Sequence, residues 1–271
     1  MGNCYLGTSA LWNSDERRPA ASVMPGDWQW RLPRGAERGA EALLSHEETA
    51  EGIVESREYF DAVASRWDDL RASFFSDAVR EKAFSLAQLQ PGGTAADIGA
   101  GTGVMTEGLV RLGLKVIAID QSAAMIEQMR SKFGSEPSIE YRQADAESLP
   151  LDGNAVDYVF ANMYLHHAEN PSRAIAEDAS VLKEGGKLIV TDLDEHGFEL
   201  LRIEQKDRWL GFKRPDVRAG FEDAGLTDVG VDRVGADCCA NSESNKVSAR
   251  ASIFVAWGAR QAQRYQRPVG D

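Results

Sequence analysis

Residues 95–104 read Ala-Ala-Asp-Ile-Gly-Ala-Gly-Thr-Gly-Val and are the most informative part of the chain. The stretch begins like a buried strand, and the residues that follow it have the apolar spacing of a helix. Gly99, Gly101 and Gly103 allow a tight turn and a close approach of the backbone to a ligand, because glycine has no Cβ. In an open parallel sheet such a loop lies at the carboxyl ends of the strands, where ligands bind. The stretch therefore predicts a strand, a ligand-binding loop and a helix.

Beyond this loop, short apolar runs alternate with longer amphipathic stretches, which predicts a parallel sheet with helices on both faces. The predicted strands are Thr94–Ile98, Lys115–Ile119, Ile139–Arg142, Val156–Ala161 and Lys187–Asp192, followed by two late strands near Thr227–Arg233 and Ala251–Trp257. The predicted helices are Val104–Leu112, Ala123–Phe133, Pro171–Leu182 and Pro215–Ala224.

The spacing of the glycines distinguishes between kinds of ligand. A dinucleotide-binding loop has the pattern G-x-G-x-x-G, and Val104 stands here at the third glycine position. A phosphate-binding P-loop continues with Gly-Lys-Ser/Thr, and no lysine follows these glycines. Asp97 precedes them instead, and its carboxylate repels phosphate but suits an ammonium group or a hydroxyl. A nicotinamide oxidoreductase is therefore disfavoured and is kept only as an alternative.

Two further acids follow the next two predicted strands. Asp120 ends the second strand, where a carboxylate can accept hydrogen bonds from both hydroxyls of a ribose. Asp145 follows the third strand, where it can accept from an exocyclic amine. Together with Asp97 they predict one crevice, suited to a nucleoside that carries an amino-acid tail.

With these motifs, residues 54–258 resemble the class I S-adenosylmethionine-dependent methyltransferases, in particular the small-molecule "type 11" group. The resemblance implies a Rossmann-like α/β fold with helices on both faces of a seven-stranded mixed sheet. The implied strand order is 3-2-1-4-5-7-6, with strand 7 antiparallel. The matching motifs are Asp97–Gly103, Asp120, Asp145-Ala146, Leu149–Leu151, Asp157–His167 and Leu182–Ile189.

The resemblance also implies which residues bind S-adenosylmethionine. The three glycines would line its methionine part, and Asp97 would orient the loop or meet the amino group through water. Asp120 would hold the ribose hydroxyls, Asp145 would accept from adenine N6, and Asn162 would border the sulfonium. The whole implied set is Asp97, Gly99, Gly101, Thr102, Gly103, Asp120, Gln121, Met125, Asp145, Ala146 and Asn162. Tyr59 and Trp67 resemble an aromatic helix that many relatives fold over the cofactor, with core packing as the alternative.

Candidate residues for the acceptor side are histidines and acids that follow the fourth and fifth strands. His166 and His167 are candidates for a general base, because an imidazole with a pKa near 6.5 can remove a proton at neutral pH. The alternative is that they only shape the wall of the site. Asp192, Asp194 and His196 are candidates for binding a cationic acceptor or a metal, with solvated loop residues as the alternative, and no metal is assigned to them.

Cys238 and Cys239 are predicted to lie in a polar loop between the last two strands. Adjacent cysteines form a disulfide only in a strained ring, which favours free thiols. Two neighbouring thiolates could hold a thiophilic metalloid such as arsenite as the methyl acceptor. Buried or incidental thiols are the alternative.

Composition limits the classes of partner. The net charge of −13 disfavours nucleic acid, and the apolar runs are too short for a membrane span. With three cysteines and no leader pattern, we expect a cytoplasmic monomer or homodimer. Residues 1–52 are expected to be a flexible extension, 53–260 the methyltransferase domain and 261–271 a tail. The predicted function is methyl transfer to a small molecule, and a non-catalytic cofactor-binding regulator is the alternative from another class.

Overall fold

The structure is a computed structural model that describes residues 48–74, 76–241 and 248–261. All of them belong to one compact unit, Leu43–Asp271. Most of the predicted N-terminal extension and nearly all of the predicted C-terminal tail lie outside the described residues, so this division of the chain stays a prediction. In the part of the chain that is described, no helix has the length and apolar character needed to cross a membrane.

Seven strands form one sheet in the order β3-β2-β1-β4-β5-β7-β6, which confirms the predicted fold. β7 pairs antiparallel with β5 and β6, and the remaining pairs are parallel. The strands are β1 Thr94–Ile98, β2 Lys115–Asp120, β3 Ile139–Gln143, β4 Val156–Asn162, β5 Leu182–Leu193, β6 Leu226–Asn241 and β7 Ser248–Arg260.

Eight α-helices accompany the sheet within the described residues. They are α1 Glu48–Val63, α2 Trp67–Phe74, α3 Ala78–Ala87, α4 Val104–Arg111, α5 Ala123–Phe133, α6 Pro171–Ser180, α7 Glu199–Glu204 and α8 Arg214–Asp223. Local signals fix several starts: Ser122 Oγ accepts from Met125 N at the start of α5, and Asn170 caps α6, which has Pro171 in its first turn.

The central strands are buried on both faces, as is usual for parallel strands covered by helices. Ile98 pairs with Ile119 of β2 on one side and with Ala161 of β4 on the other. Because these three strands run in the same direction, the loops that leave them meet at one edge of the sheet. That edge carries the candidate site.

Three elements differ clearly from the sequence-based prediction. β5 begins at Leu182, which was predicted to end a helix, rather than at Lys187. α7 was not predicted, since only Leu201 among its residues is buried and the segment is too short for a clear period. β6 continues to Asn241, through residues that were predicted to form a loop. Its far half is a strand because Cys238 and Ala240 pack with Leu201 and the facing residues of β7.

Candidate active site

The glycine loop after β1 has a left-handed backbone at three positions, with φ of +64° at Gly99, +55° at Gly101 and +87° at Gly103. A Cβ on Gly99 would lie 2.7 Å from Tyr164 Cβ, and one on Gly101 would lie 3.3 Å from Trp67 Nε1. The backbone of the loop therefore runs against two aromatic side chains, which only glycine permits at these φ values.

The loop borders an open cavity of about 1140 Å³, measured out to its mouth. Ten of the eleven predicted cofactor-binding residues line it: Asp97, Gly99, Gly101, Thr102, Asp120, Gln121, Met125, Asp145, Ala146 and Asn162. Gly103 does not line it, and a role for Gly103 in cofactor binding stays a prediction. Its missing Cβ would lie 2.6 Å from Phe133 Cε2, so this glycine allows close packing of the loop on α5.

Asp97 is buried, and only one of its two carboxylate oxygens has a hydrogen-bond partner among the described residues. Its Oδ2 accepts from the backbone N of Thr106 at 2.9 Å and from Thr106 Oγ1 at 2.6 Å. Its Oδ1 has no hydrogen-bond partner among the described residues. Burial raises the pKa of Asp97 to about 7, although the two bonds from Thr106 lower it. An ammonium group in the cavity would satisfy the free oxygen and stabilise the carboxylate.

Asp120 braces the glycine loop at the end of β2. Its Oδ2 accepts from Gly101 N at 2.7 Å, and its Oδ1 accepts from Ser122 N at 2.8 Å. Burial raises the pKa of this carboxyl to about 6, against the lowering effect of the two backbone bonds. Asp120 lines the cavity, so it can both hold the loop and accept from a ligand hydroxyl.

An aromatic wall closes the cavity on the side of the first two helices. Phe60 stands edge-on to Trp67 at 5.3 Å and to His167 at 5.0 Å, and all three rings line the cavity. Thr102 Oγ1 donates to Asp68 Oδ1 and thereby ties the loop to α2. Trp67 is thus placed as predicted, whereas Tyr59 lies outside the lining and donates its hydroxyl to Gln205 Oε1 at 2.8 Å.

The comparisons with known proteins agree with this geometry. The sequence model of a family described as "Methyltransferase domain" matches residues 96–190. The chain is 31% identical over 142 residues to a demethylmenaquinone methyltransferase of Renibacterium salmoninarum, a match that covers 51% of this chain and 59% of that relative. Residues 96–190 are therefore similar to a methyltransferase domain.

Solved structures share the fold of the methyltransferase domain at low sequence identity. The YcgJ protein from Bacillus subtilis has a TM-score of 0.57 at 16% identity, and the match covers 69% of this chain and 99% of the YcgJ chain. The Haemonchus contortus phosphoethanolamine N-methyltransferase 2, solved with phosphomonomethylethanolamine and S-adenosylhomocysteine, has a TM-score of 0.56 at 14% identity. That match covers 68% of this chain and 52% of the Haemonchus chain. The chain spans about half the length of the curated relatives it matches.

The two candidate bases, His166 and His167, differ in environment. His166 is buried, with its Nδ1 2.8 Å from Asp192 Oδ1 and its Nε2 3.7 Å from Asp207 Oδ1. Burial lowers its pKa, but the two carboxylates outweigh that effect and raise it to about 9. His166 also lies outside the lining of the large cavity. A general base must be unprotonated at neutral pH. With a pKa of about 9, His166 is already protonated there, so the prediction that it acts as a free base is wrong.

His167 lines the large cavity, and its Nδ1 lies 3.3 Å from the carbonyl oxygen of Lys206. Burial and the neighbouring charge of His166 hold the pKa of His167 well below its usual value. A neutral imidazole with its Nδ1 proton on that carbonyl keeps a free electron pair on Nε2. Of the two candidate bases, only His167 fits the role.

The predicted acceptor-binding residues after β5 serve the fold instead. Asp194 accepts two bonds from Arg214, at 2.7 and 2.8 Å, and one from Ser252 Oγ at 2.6 Å. His196 Nδ1 lies 3.2 Å from Phe198 N, and burial together with the charge of His166 lowers the His196 pKa to about 4. Neither of these residues, nor Asp192, lines the large cavity. The structure therefore does not place them where an acceptor would bind.

The two adjacent cysteines lie on β6 rather than in a loop, which corrects the prediction for them. Successive residues of a strand face opposite sides, and accordingly Cys238 is buried while Cys239 is exposed. Burial raises the pKa of the Cys238 thiol to about 12. The predicted shared chelate for arsenite is therefore wrong, since the two sulfurs point away from each other.

A second cavity of about 450 Å³ adjoins the first, and the two share Phe60, Trp67, Met163 and His167 as walls. The other lining residues of the second cavity are mostly apolar, with one polar corner. They are Phe74, Leu193, Leu201, Cys238 and Ala240, and, at the corner, His166, Gln205 and Asp207. Sequence reasoning missed this cavity, because α7 and the residues after it carry no motif.

Proposed function

We propose that this methyltransferase transfers a methyl group from S-adenosylmethionine to a small, largely apolar molecule. The observation that carries the proposal is the unpartnered, buried Oδ1 of Asp97, a residue that lines the large cavity together with nine other predicted cofactor-binding residues. A buried carboxylate oxygen without a donor is costly, and the ammonium of an amino-acid tail would supply that donor.

The residues of the cavity fit S-adenosylmethionine by charge and by shape. Asp97 would hold the ammonium group, Asp120 the ribose hydroxyls and Asp145 the adenine amine. Gly99 and Gly101 leave room for the chain of the ligand to pass close to the backbone. When bound, the cofactor supplies an electrophilic methyl group on a sulfonium.

The contribution of the protein is orientation and the exclusion of water. Phe60, Trp67 and His167 form a wall between the two cavities, so an acceptor in the second cavity would lie beside the first. Orientation of two reactants can supply roughly 7–11 kcal/mol of the barrier reduction. His167 is proposed to take the proton of the acceptor, because its imidazole is neutral and borders both cavities.

The lining of the second cavity supports a small, apolar acceptor. Its walls are aromatic and aliphatic apart from one polar corner, and small-molecule sites commonly combine such walls with a few polar groups. The net charge of −13 disfavours a nucleic-acid substrate. Residence in the cytoplasm and a monomeric or homodimeric state remain predictions.

The test combines cofactor binding with methyl transfer. Calorimetry should show S-adenosylmethionine binding that is weakened about tenfold or more by Asp97→Asn and unchanged by Asp152→Asn, an exposed acid outside the cavity. Incubation of apolar small-molecule pools with methyl-labelled cofactor should then yield labelled products by mass spectrometry. Binding without transfer to any pool would favour a non-catalytic regulator, and binding of NAD instead would overturn the cofactor assignment.

A further inference from the structure

Three metal-ligating side chains converge at the polar corner of the second cavity. One potential ligand atom of each of His166, His167 and Asp207 lies within 4.8 Å of the other two. His166 and Asp207 are buried, and His167 is half-buried. All three line the second cavity, and His167 also lines the large one.

The partners of the two imidazoles orient them as metal ligands are usually oriented. His166 Nδ1 lies 2.8 Å from Asp192 Oδ1, and His167 Nδ1 lies 3.3 Å from the carbonyl oxygen of Lys206. Metal-binding histidines commonly donate one ring N–H to a carboxylate or a backbone carbonyl, which fixes the tautomer and leaves the other nitrogen as the ligand. Both histidines have such an acceptor at Nδ1, so Nε2 is the nitrogen left to bind an ion.

The spacing between His166 and Asp207 is that of two ligands rather than of a hydrogen bond. His166 Nε2 lies 3.7 Å from Asp207 Oδ1, beyond the usual hydrogen-bond range of about 2.7–3.2 Å. Zinc binds imidazole nitrogen and carboxylate oxygen at about 2.0–2.2 Å, so two such ligands at a tetrahedral angle stand about 3.4 Å apart. A small shift of either side chain would bring both atoms to one ion.

We infer that His166, His167 and Asp207 bind one divalent transition-metal ion, with Asp192 as the positioning residue behind His166. Two imidazoles and one carboxylate suit Zn²⁺, Fe²⁺ or Mn²⁺. Three protein ligands leave at least one coordination position open, as in catalytic sites. Within the second cavity that position is accessible to a molecule bound there.

This inference rests on the proposed methyl transfer, and it names the acceptor more closely: an apolar molecule with an ionisable hydroxyl. With the Nε2 of His167 bound to the ion, the ion replaces His167 as the group that activates the acceptor. A bound divalent ion lowers the pKa of a coordinated oxygen, so the acceptor hydroxyl would bind as its anion and release its proton to solvent. The oxygen–carbon bond then forms as the carbon–sulfur bond of the cofactor breaks. His167 lines both cavities, so the proposed ion would lie beside the wall that the second cavity shares with the cofactor cavity.

The test measures metal binding directly, on the untagged full chain stripped with chelator. Calorimetry with Zn²⁺ and visible absorption with Co²⁺ should give one ion per chain. His167→Gln and Asp207→Asn should each weaken binding at least about tenfold, and Asp192→Asn should weaken it about 10–100-fold as an outer partner. His196→Gln is the matched control: this histidine lies outside the cluster, so the variant should bind the ion like the parent.

The melting curve of every variant, together with the S-adenosylhomocysteine affinity of Asp192→Asn and Asp207→Asn, whose residues lie outside the lining of the large cavity, separates a lost metal site from a misfolded protein. A stripped parent that binds neither Zn²⁺ nor Co²⁺, or cluster variants that bind them as tightly as His196→Gln does, would overturn the inference. Failure of the proposed function has a different signature, since the parent would then bind metal but not S-adenosylmethionine.

Discussion

At the edge of the sheet that carries the candidate site, the sequence-based prediction of site residues works in one region and fails in another. In the cofactor region, formed by the loops after β1, β2 and β3, all but one of the predicted residues line the large cavity. In the acceptor region, formed by the segments after β4 and β5 and by β6, Asp192, Asp194 and His196 instead bind partners inside the protein. The contrast shows that the spacing of a motif is a better guide to a site than the chemical type of a residue.

The difference has a physical reason. In the cofactor region the backbone itself lines the cavity, so glycines at positive φ and acids at strand ends must stand at fixed spacings in the sequence. In the acceptor region a carboxylate has many ways to be satisfied. Asp194, for example, neutralises Arg214, which comes twenty positions later in the chain. Local sequence cannot show such a partner.

The largest effect is expected from Gly99→Ala, which tests whether the cofactor region depends on its backbone. The added Cβ would lie 2.7 Å from Tyr164 Cβ at a φ of +64°, so the loop or the tyrosine must move. Overpacking and left-handed strain together cost about 2–5 kcal/mol, and we expect a loss of cofactor affinity of about 100-fold. Calorimetry with S-adenosylhomocysteine measures it.

Gly134→Ala is the matched control for that variant. Gly134 has a similar φ of +59°, but nothing lies within 4 Å of its added Cβ, and it is outside the cavity. Its affinity should equal that of the parent. Equal losses in both variants would mean that strain alone, and not the cavity, explains the effect.

A smaller effect is expected from Asp120→Ala, which removes the brace of the loop and an acceptor for the ligand. Hydrogen bonds to charged groups contribute roughly 1.5–3 kcal/mol, so affinity should fall about tenfold or more. The melting curve should remain cooperative. Unchanged affinity in a folded variant would contradict the assignment of the cofactor region.

Cofactor affinity should change several-fold as Asp97 ionises. Because its pKa is raised to about 7, the carboxylate that would bind an ammonium group forms as the pH rises from 6 to about 7.5, and affinity should rise with it. Because the folded-state pKa of Asp97 lies above the ordinary value of 3.8, the free protein should lose stability from about pH 4 up to about pH 7. Calorimetry and thermal melting measure the two slopes, and Asp97→Asn should reduce each of them; part of the slope should remain, because the pKa of Asp120 is also raised, to about 6.

The smallest effect on affinity is expected from Asp194→Ala, in the acceptor region. Loss of the bonds from Arg214 and Ser252 should lower the free energy of unfolding by about 1–3 kcal/mol, towards the lower end because Arg214 is partly exposed. Cofactor affinity should change less than twofold. If affinity falls tenfold while the fold is retained, Asp194 contributes to binding after all, and the contrast between the two regions fails.

Most of the fold was predictable because most of its strands and helices carry a clear hydrophobic period of their own. β1 and α5 have the predicted bounds, and the strand order follows from the resemblance. The far half of β6 was not predictable. Gly235 and Asp237 look like turn residues, and only packing of Cys238 on α7 makes the segment a strand. The position of Asp207 beside His166 was not predictable either, because Asp207 lies in the segment after α7, which has neither a motif nor a hydrophobic period.

The outer edge of the sheet has a consequence for how the protein behaves when crowded. Among the described residues β6 pairs only with β7, and its register shifts twice, between Thr227 and Gly230 and between Arg233 and Asp237. Asp237 forms ion pairs with Arg233 and Arg250 at the second shift. An irregular, charged margin is a poor template for a strand from another copy. The sixteen-residue strand can thus end the sheet without inviting polymerisation or fibril growth.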